Sequence, residues 1–231
     1  MAPPLTREAF STPEGRRRAM RDFLLADHAI IRACYDNTHE IAPGVYRSFQ
    51  PSPSRIAKWA REGVKTIVNL RGPKPSPALF LEEEACALHG LTLENFRVFS
   101  REAPSKEILR GARDLIGRIA YPAVFHCKSG ADRAGLFSAL YLFFTGAAPL
   151  DRALAQLSFR YGHIKQGKTG VIDAAFALYL DHARTHGLSL GDVDAFLDWA
   201  MSDAYDPVAV KRDFLGNWWG NFLTEKVLKR E

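Results

Sequence analysis

Apolar residues in this chain fall into short, β-branched runs separated by longer stretches of helical period. Val64-Lys65-Thr66-Ile67-Val68-Asn69-Leu70 is the clearest strand, and Arg71-Gly72-Pro73 breaks it. Further strands are expected near Gly44-Val45-Tyr46-Arg47-Ser48, over Leu91 to Phe99, and over Tyr121-Pro122-Ala123-Val124-Phe125. Helices are predicted from Pro51-Ser52-Pro53-Ser54 through Trp59, from about Pro77 to His89 with Gly90 as the stop, and from Pro104 to about Ala120. Leu136 to Phe144 is almost wholly apolar and reads as a buried helix. Residues 14–35 read as an amphipathic helix with Met20, Phe23, Leu24, Ala29, Ile30 and Cys34 as its apolar positions. Residues 1–13, with three prolines, read as a loose arm, and Leu150 to Glu231 reads as helical throughout. Alternating strands and helices predict an α/β fold: a central, mainly parallel sheet flanked by helices, with a helical C-terminal extension.

The stretch between the last strand and the apolar helix is the most informative in the chain. It reads His126-Cys127-Lys128-Ser129-Gly130-Ala131-Asp132-Arg133-Ala134-Gly135. A strand–loop–helix turn gathers backbone N–H groups and a helix N-terminus around one point, which attracts an oxyanion. A cysteine at the floor of that point is favoured as the thiolate. Arg133 can close over a phosphate with two parallel N–H···O bonds. The spacing of Cys127 and Arg133 is weak evidence alone; the flanking switch from strand to helix and the glycines at 130 and 135 strengthen it.

This loop resembles the phosphate-binding loop of the cysteine-dependent phosphatases, the protein tyrosine and dual-specificity superfamily. Gly44-Val45-Tyr46-Arg47-Ser48-Phe49-Gln50-Pro51 and Gly63-Val64-Lys65-Thr66-Ile67-Val68-Asn69-Leu70-Arg71 extend the likeness to the bacterial and fungal atypical dual-specificity phosphatases. The resemblance implies two-step phosphomonoester hydrolysis through a phosphocysteine intermediate, without metal or cofactor. Cys127 is then the nucleophile, Arg133 the transition-state clamp, and Lys128, Ser129, Gly130 and Ala131 the phosphate-binding loop. His126 either orients the cysteine region or is a satisfied core histidine. These families usually take the leaving-group proton from an aspartate on a separate loop. The corresponding stretch, Phe96 to Pro104, has none, and leaves Glu102 or, inside the loop, Asp132. Asp132 is the preferred acid, an arrangement similar to that of myotubularin-like lipid phosphatases. Most relatives carry Ser or Thr after the arginine. Ala134 departs from that pattern and leaves a catalytically weak or inactive phosphate-binding module as the alternative. The expected organisation is an arm and helix over 1–40, a phosphatase catalytic domain over 41–175, and a helical extension over 176–231.

Phe159 to Gly170 is a second basic stretch. His163, Lys165, Gln166 and Lys168 are its candidate substrate-binding residues, against the alternative of a solvated connection between helices. Net charge is +5 and the pI about 9.2, which suits anionic substrates or an anionic membrane but is too diffuse to argue for nucleic acid. The resemblance implies as partner a phosphorylated protein, lipid headgroup or small molecule. The aromatic, then basic, segment from Phe214 to Arg230 packs on the domain or touches a membrane peripherally. Three cysteines, Cys34, Cys86 and Cys127, make no disulfide framework and suit a reducing compartment. No signal peptide or membrane span is read. The expected location is cytoplasmic, with the inner face of the membrane as its variant.

Overall fold

The structure, a computed structural model, describes residues 5–25 and 36–216. The chain divides into two units, Met1–Val98 with Arg118–Ala134, and Phe99–Gly117 with Gly135–Glu231.

The first unit holds a five-stranded sheet: β1 His39–Ala42, β2 Val45–Ser48, β3 Thr66–Asn69, β4 Thr92–Asn95 and β5 Ala123–His126. The strand order is β1-β2-β5-β3-β4. β2, β5, β3 and β4 run parallel, and only β1 pairs antiparallel, with β2. The mainly parallel sheet expected from the alternation is therefore present. Every residue of β3 and β5 is buried, which explains their unbroken apolar character. Alternation along β2, β3 and β5 sends Tyr46, Ile67 and Val124 to one face. There Ile67 and Val124 join Ile56, Trp59, Val64, Ala85, Cys86 and Leu91 in one core cluster, and Tyr46 packs against it. Arg47, Val68 and Phe125 take the other face, all fully buried.

Helix α1 spans Arg7–Phe10, α2 Pro13–Leu25, α3 Pro53–Arg61 and α4 Pro77–His89. α3 and α4 start at serine caps followed by proline. Ser52 Oγ accepts from Arg55 N–H at 3.3 Å and Ser76 Oγ from Leu79 N–H at 3.2 Å. Gly90 ends α4 in the left-handed region (φ 69°).

Three expectations need correction. The arm is not loose from Leu5 onward. Thr6 caps α1, and Leu5 and Phe10 are buried against Ala19, Phe23, Ala78, Phe80 and Leu81. The antiparallel strand β1 was not foreseen, because its residues are only half-buried or exposed and show no apolar alternation. The third strand is four residues long rather than nine, since β4 is a half-exposed edge and the chain leaves it after Asn95. The amphipathic helix is observed over Pro13–Leu25; Ala29, Ile30 and Cys34 lie outside the described residues.

The second unit is helical, as expected for Leu150 onward. It contains most of α5 Lys106–Arg118 and α6 Asp132–Phe144, then α7 Leu150–Ala153, α8 Val171–His186, α9 Val193–Met201 and a helical stretch over 207–216. Aromatic rings hold it together. Phe196 meets Phe143 and Tyr179 edge-on, with centroids 5.3 and 4.9 Å apart. Tyr205 stacks obliquely on Trp199 and donates its hydroxyl to Pro104 O at 2.6 Å. Lys106 Nζ caps the end of α9 through the carbonyls of Met201 and Ser202. Among the described residues, no helix is long and apolar enough to cross a membrane. The segment from Asn217 to Arg230 lies outside them.

Candidate active site

β5 is the central strand, and its carboxyl end feeds directly into Cys127 and the loop that opens α6. A site at this position follows the general rule for open parallel sheets. Cys127 is 1% exposed, and its N–H reaches Ser48 O at 3.3 Å. Asp132 and Arg133 form the first turn of α6 and are half-buried.

The loop is held from behind through its carbonyls. Gln50 N–H donates to Lys128 O at 3.3 Å and Asn37 Nδ2 to Ser129 O at 2.9 Å. One guanidinium nitrogen of Arg47, Nη2, donates to both Gly130 O at 2.7 Å and Ala131 O at 2.9 Å. Four consecutive carbonyls are thus turned toward the sheet side. In a tight loop this turns the intervening N–H groups to the concave side, the arrangement that receives an anion. Gly130 has φ 76°, and a Cβ there would come within 3.0 Å of Asn37 Nδ2, Phe49 N and Ser48 C. Only glycine fits both the backbone conformation and the space.

A second buried network supports the strand end. His126 Nε2 lies 2.5 Å from Glu82 Oε1, with both side chains buried. Glu82 Oε2 accepts from Gln50 Nε2 at 2.9 Å, and Gln50 Oε1 accepts from Arg71 Nη1 at 2.6 Å. A polar chain therefore runs from the residue before Cys127 to the residue after Leu70. His126 is a buried core histidine in close charge contact with Glu82, and it also sits against the cysteine region, 3.4 Å from Cys127 O through Nδ1. Asn69 completes the frame: its Oδ1 accepts from Arg71 N–H at 2.9 Å and its Nδ2 donates to Asn95 Oδ1 at 2.8 Å.

Cys86 sits in the core cluster with Trp59 and Ile56, and burial together with the nearby Glu82 and Glu83 pushes its thiol up to about 12. It is a packing residue. Asp36, beside Asn37, is held below the ordinary carboxylate value. Its partial burial opposes this, and hydrogen bonds from Thr38 and Arg55 outweigh it.

Of the sequence-proposed residues, Cys127, Lys128, Ser129, Gly130, Ala131, Asp132 and Arg133 are brought together by this one loop. Glu102 and the Phe159–Gly170 stretch belong to the second unit. Glu102 Oε1 pairs there with Lys211 Nζ at 2.6 Å. His163 is buried and binds Asp173 Oδ2 at 2.6 Å, and Lys165 Nζ lies 3.4 Å from Asp173 Oδ1. Gln166 and Lys168 are exposed.

The profile of the tyrosine phosphatase family matches residues 32–152, just over half of the 231 residues. The chain belongs to the tyrosine phosphatase family. The dual specificity protein phosphatase TpbA of Pseudomonas aeruginosa is 30% identical over 105 residues, 46% of this chain and 45% of the relative. The chain spans about half the length of the curated relatives it matches. A crystal structure of P. aeruginosa TpbA in complex with phosphotyrosine is 22% identical with a TM-score of 0.45, covering 55% of this chain and 75% of that one. A putative phosphatase from Neisseria meningitidis is 23% identical with a TM-score of 0.44, covering 58% and 94%.

For this tyrosine phosphatase family member, sequence reasoning missed the loop's support: Asn37, Arg47, Gln50 and Glu82. One signal was present. Arg47 occupies the inward parity of β2, the same as Val45, and an arginine at a buried strand position must find acceptors.

Proposed function

We propose that this chain hydrolyses phosphomonoesters through a phosphocysteine intermediate. The single observation that carries the reading is the loop from Cys127 to Arg133, in which four of the five intervening carbonyls, from Lys128 to Ala131, are tied back by Gln50, Asn37 and Arg47. That preorganises N–H groups toward the position where phosphoryl charge develops. In the first step Cys127 Sγ forms a bond to phosphorus while the ester P–O bond breaks and its electron pair leaves with the oxygen. The leaving oxygen takes a proton from an acid. In the second step water attacks phosphorus, the S–P bond breaks, and the water's proton passes to the same carboxylate. Arg133 binds two equatorial oxygens in both steps.

Asp132 is the proposed acid, since it stands in the loop itself, next to Arg133. The pairing of Glu102 with Lys211 counts against the alternative. The second reading, a phosphate-binding module of little or no turnover, draws on Ala134, which is buried and offers no hydroxyl to assist thiolate departure. The curated relative's name puts phosphoproteins in the substrate panel. The basic character of Lys128 in the loop itself adds phospholipid, inositol phosphate and sugar phosphate.

Hydrolysis of an aryl phosphate by the wild type and by Cys127→Ser separates the two readings. The variant is expected to lose turnover and keep vanadate binding, because the loop amides and Arg133 remain. Wild-type protein that binds vanadate but releases no phosphate would establish the binding module instead.

A further inference from the structure

Between α7 and α8 the chain makes a loop that is rigidly fastened on its inner side and decorated on its outer side. Tyr161 and His163 are its buried anchors, and His163 is locked to Asp173 in the first turn of α8. Two short 3₁₀ turns, Phe159–Tyr161 and Lys168–Gly170, bracket it. A Cβ at Gly170 would lie 1.8 Å from Lys165 O, so the return toward α8 admits glycine alone. Gly167 N–H and Thr169 Oγ1 both donate to Ile164 O, at 3.0 and 3.3 Å. Such a loop has little ordering entropy left to lose on binding.

Its outer side is unusual in two respects. Phe159 is 82% exposed and Ile164 51% exposed. From Arg152 to Ile172 the chain carries four cations, Arg152, Arg160, Lys165 and Lys168; the carboxylates Asp151 and Asp173 flank the stretch, and Asp173 pairs with His163 and Lys165. Arg160, Lys165 and Lys168 are exposed. Apolar side chains that stand out singly among cations do not resemble the core of a protein–protein interface, which is contiguous and depleted of lysine. They match an anionic bilayer, where an aromatic and an aliphatic side chain enter the headgroup layer while cations meet lipid phosphates.

We propose that this loop docks the protein on an anionic lipid surface, with Phe159 and Ile164 as the inserting residues and Arg160 and Lys168 as the headgroup contacts. The proposal does not depend on which phosphoester is hydrolysed.

The test is co-sedimentation of the full chain with sucrose-loaded vesicles of phosphatidylcholine alone, or with about 30% phosphatidylserine added as the anionic lipid. Wild type is expected to partition at least about tenfold more onto the anionic vesicles, and to lose that preference as salt is raised. Arg160→Gln is expected to weaken the partitioning about fivefold. Phe159→Ser with Ile164→Ser should weaken it by a comparable or larger factor. These residues are exposed, so melting temperature and hydrolysis of a soluble aryl phosphate should stay at wild-type values. That separates failure of docking from failure of the phosphatase reading. Equal partitioning onto both vesicle types overturns the proposal. So does anionic binding that survives both loop variants, including the case in which Trp218→Ser with Trp219→Ser abolishes it.

Discussion

Arg47 carries the largest single burden in the site. It is fully buried, and one of its nitrogens satisfies two loop carbonyls. Arg47→Met would leave Gly130 O and Ala131 O without this donor, at about 1–3 kcal/mol for each unsatisfied group. Phosphatase kcat/KM is expected to fall at least about tenfold, with vanadate affinity falling in parallel, because the anion is read by the same loop. Vanadate affinity at the wild-type level would show that the loop keeps its shape without this residue. Asp132 poses a different question. If it protonates the leaving group, Asp132→Asn loses about 10²–10⁴-fold on an alkyl phosphate and little on an aryl phosphate with a good leaving group. Glu102→Gln should then match wild type on both. The reverse pattern would transfer the acid role to Glu102 and leave Asp132 as an organiser of the loop.

At the level of elements, the N-terminal arm is the most instructive. The prolines in residues 1–13 suggested looseness, yet a Thr6 cap and two apolar contacts order the stretch from Leu5. Phe10 stacks obliquely on Phe80, with centroids 5.5 Å apart, and so ties α1 to α4. Phe10→Ala is expected to cost about 3 kcal/mol, the lower end for a buried phenylalanine because Phe10 lies near the surface. Urea denaturation followed by tryptophan fluorescence measures it; a loss below about 0.5 kcal/mol would mean that α1 does not stay docked in solution. Helix α4 links this arm to the candidate site, since its Ala78, Phe80 and Leu81 pack with Phe10 while the next residue, Glu82, meets His126 and Gln50. Glu82, Glu83 and Glu84 follow one another on α4, and nothing in their local sequence sets the first apart. Only the middle of the sheet's polar network explains why the first of the three is buried.

At the level of the whole molecule, the titration of buried groups sets an alkaline limit. Burial raises the thiol of Cys86 from 9.0 to about 12, and it also raises the phenols of Tyr141, Tyr179 and Tyr205 above 10.0. The folded protein keeps these groups protonated while the unfolded chain ionises at the ordinary values. Stability from this source is therefore complete below about pH 9 and is lost as pH rises through the ordinary values toward the folded ones. The urea midpoint should fall steadily between about pH 9 and pH 11, and a flat profile there would contradict the burial of these side chains. In the native state at pH 8, iodoacetamide should modify Cys127 well before Cys86, and peptide mapping would show it.

What could be read in the sequence was whatever lies contiguously along it. Strand β5, the Cys127–Arg133 loop and helix α6 form one unbroken segment, so their hydrophobic pattern, glycine and charges announce the site without reference to the rest of the chain. Helix α4 was equally legible, because Ser76, Pro77 and Gly90 supply its start and stop locally. The half-exposed edge strands β1 and β4 were not, or not in full, because a strand with no buried face has no period to detect. The loop's support lay wholly beyond local reading. Asn37, Arg47, Gln50 and Glu82 are some 45 to 90 residues from their partners in the chain. They meet them only because the sheet inserts β5 between β2 and β3, which brings the end of β2 and the middle of α4 behind Cys127. Local chemistry can announce where an anion would bind; which distant donors must be buried to hold that loop open is decided by strand order, and strand order exists only in the folded molecule.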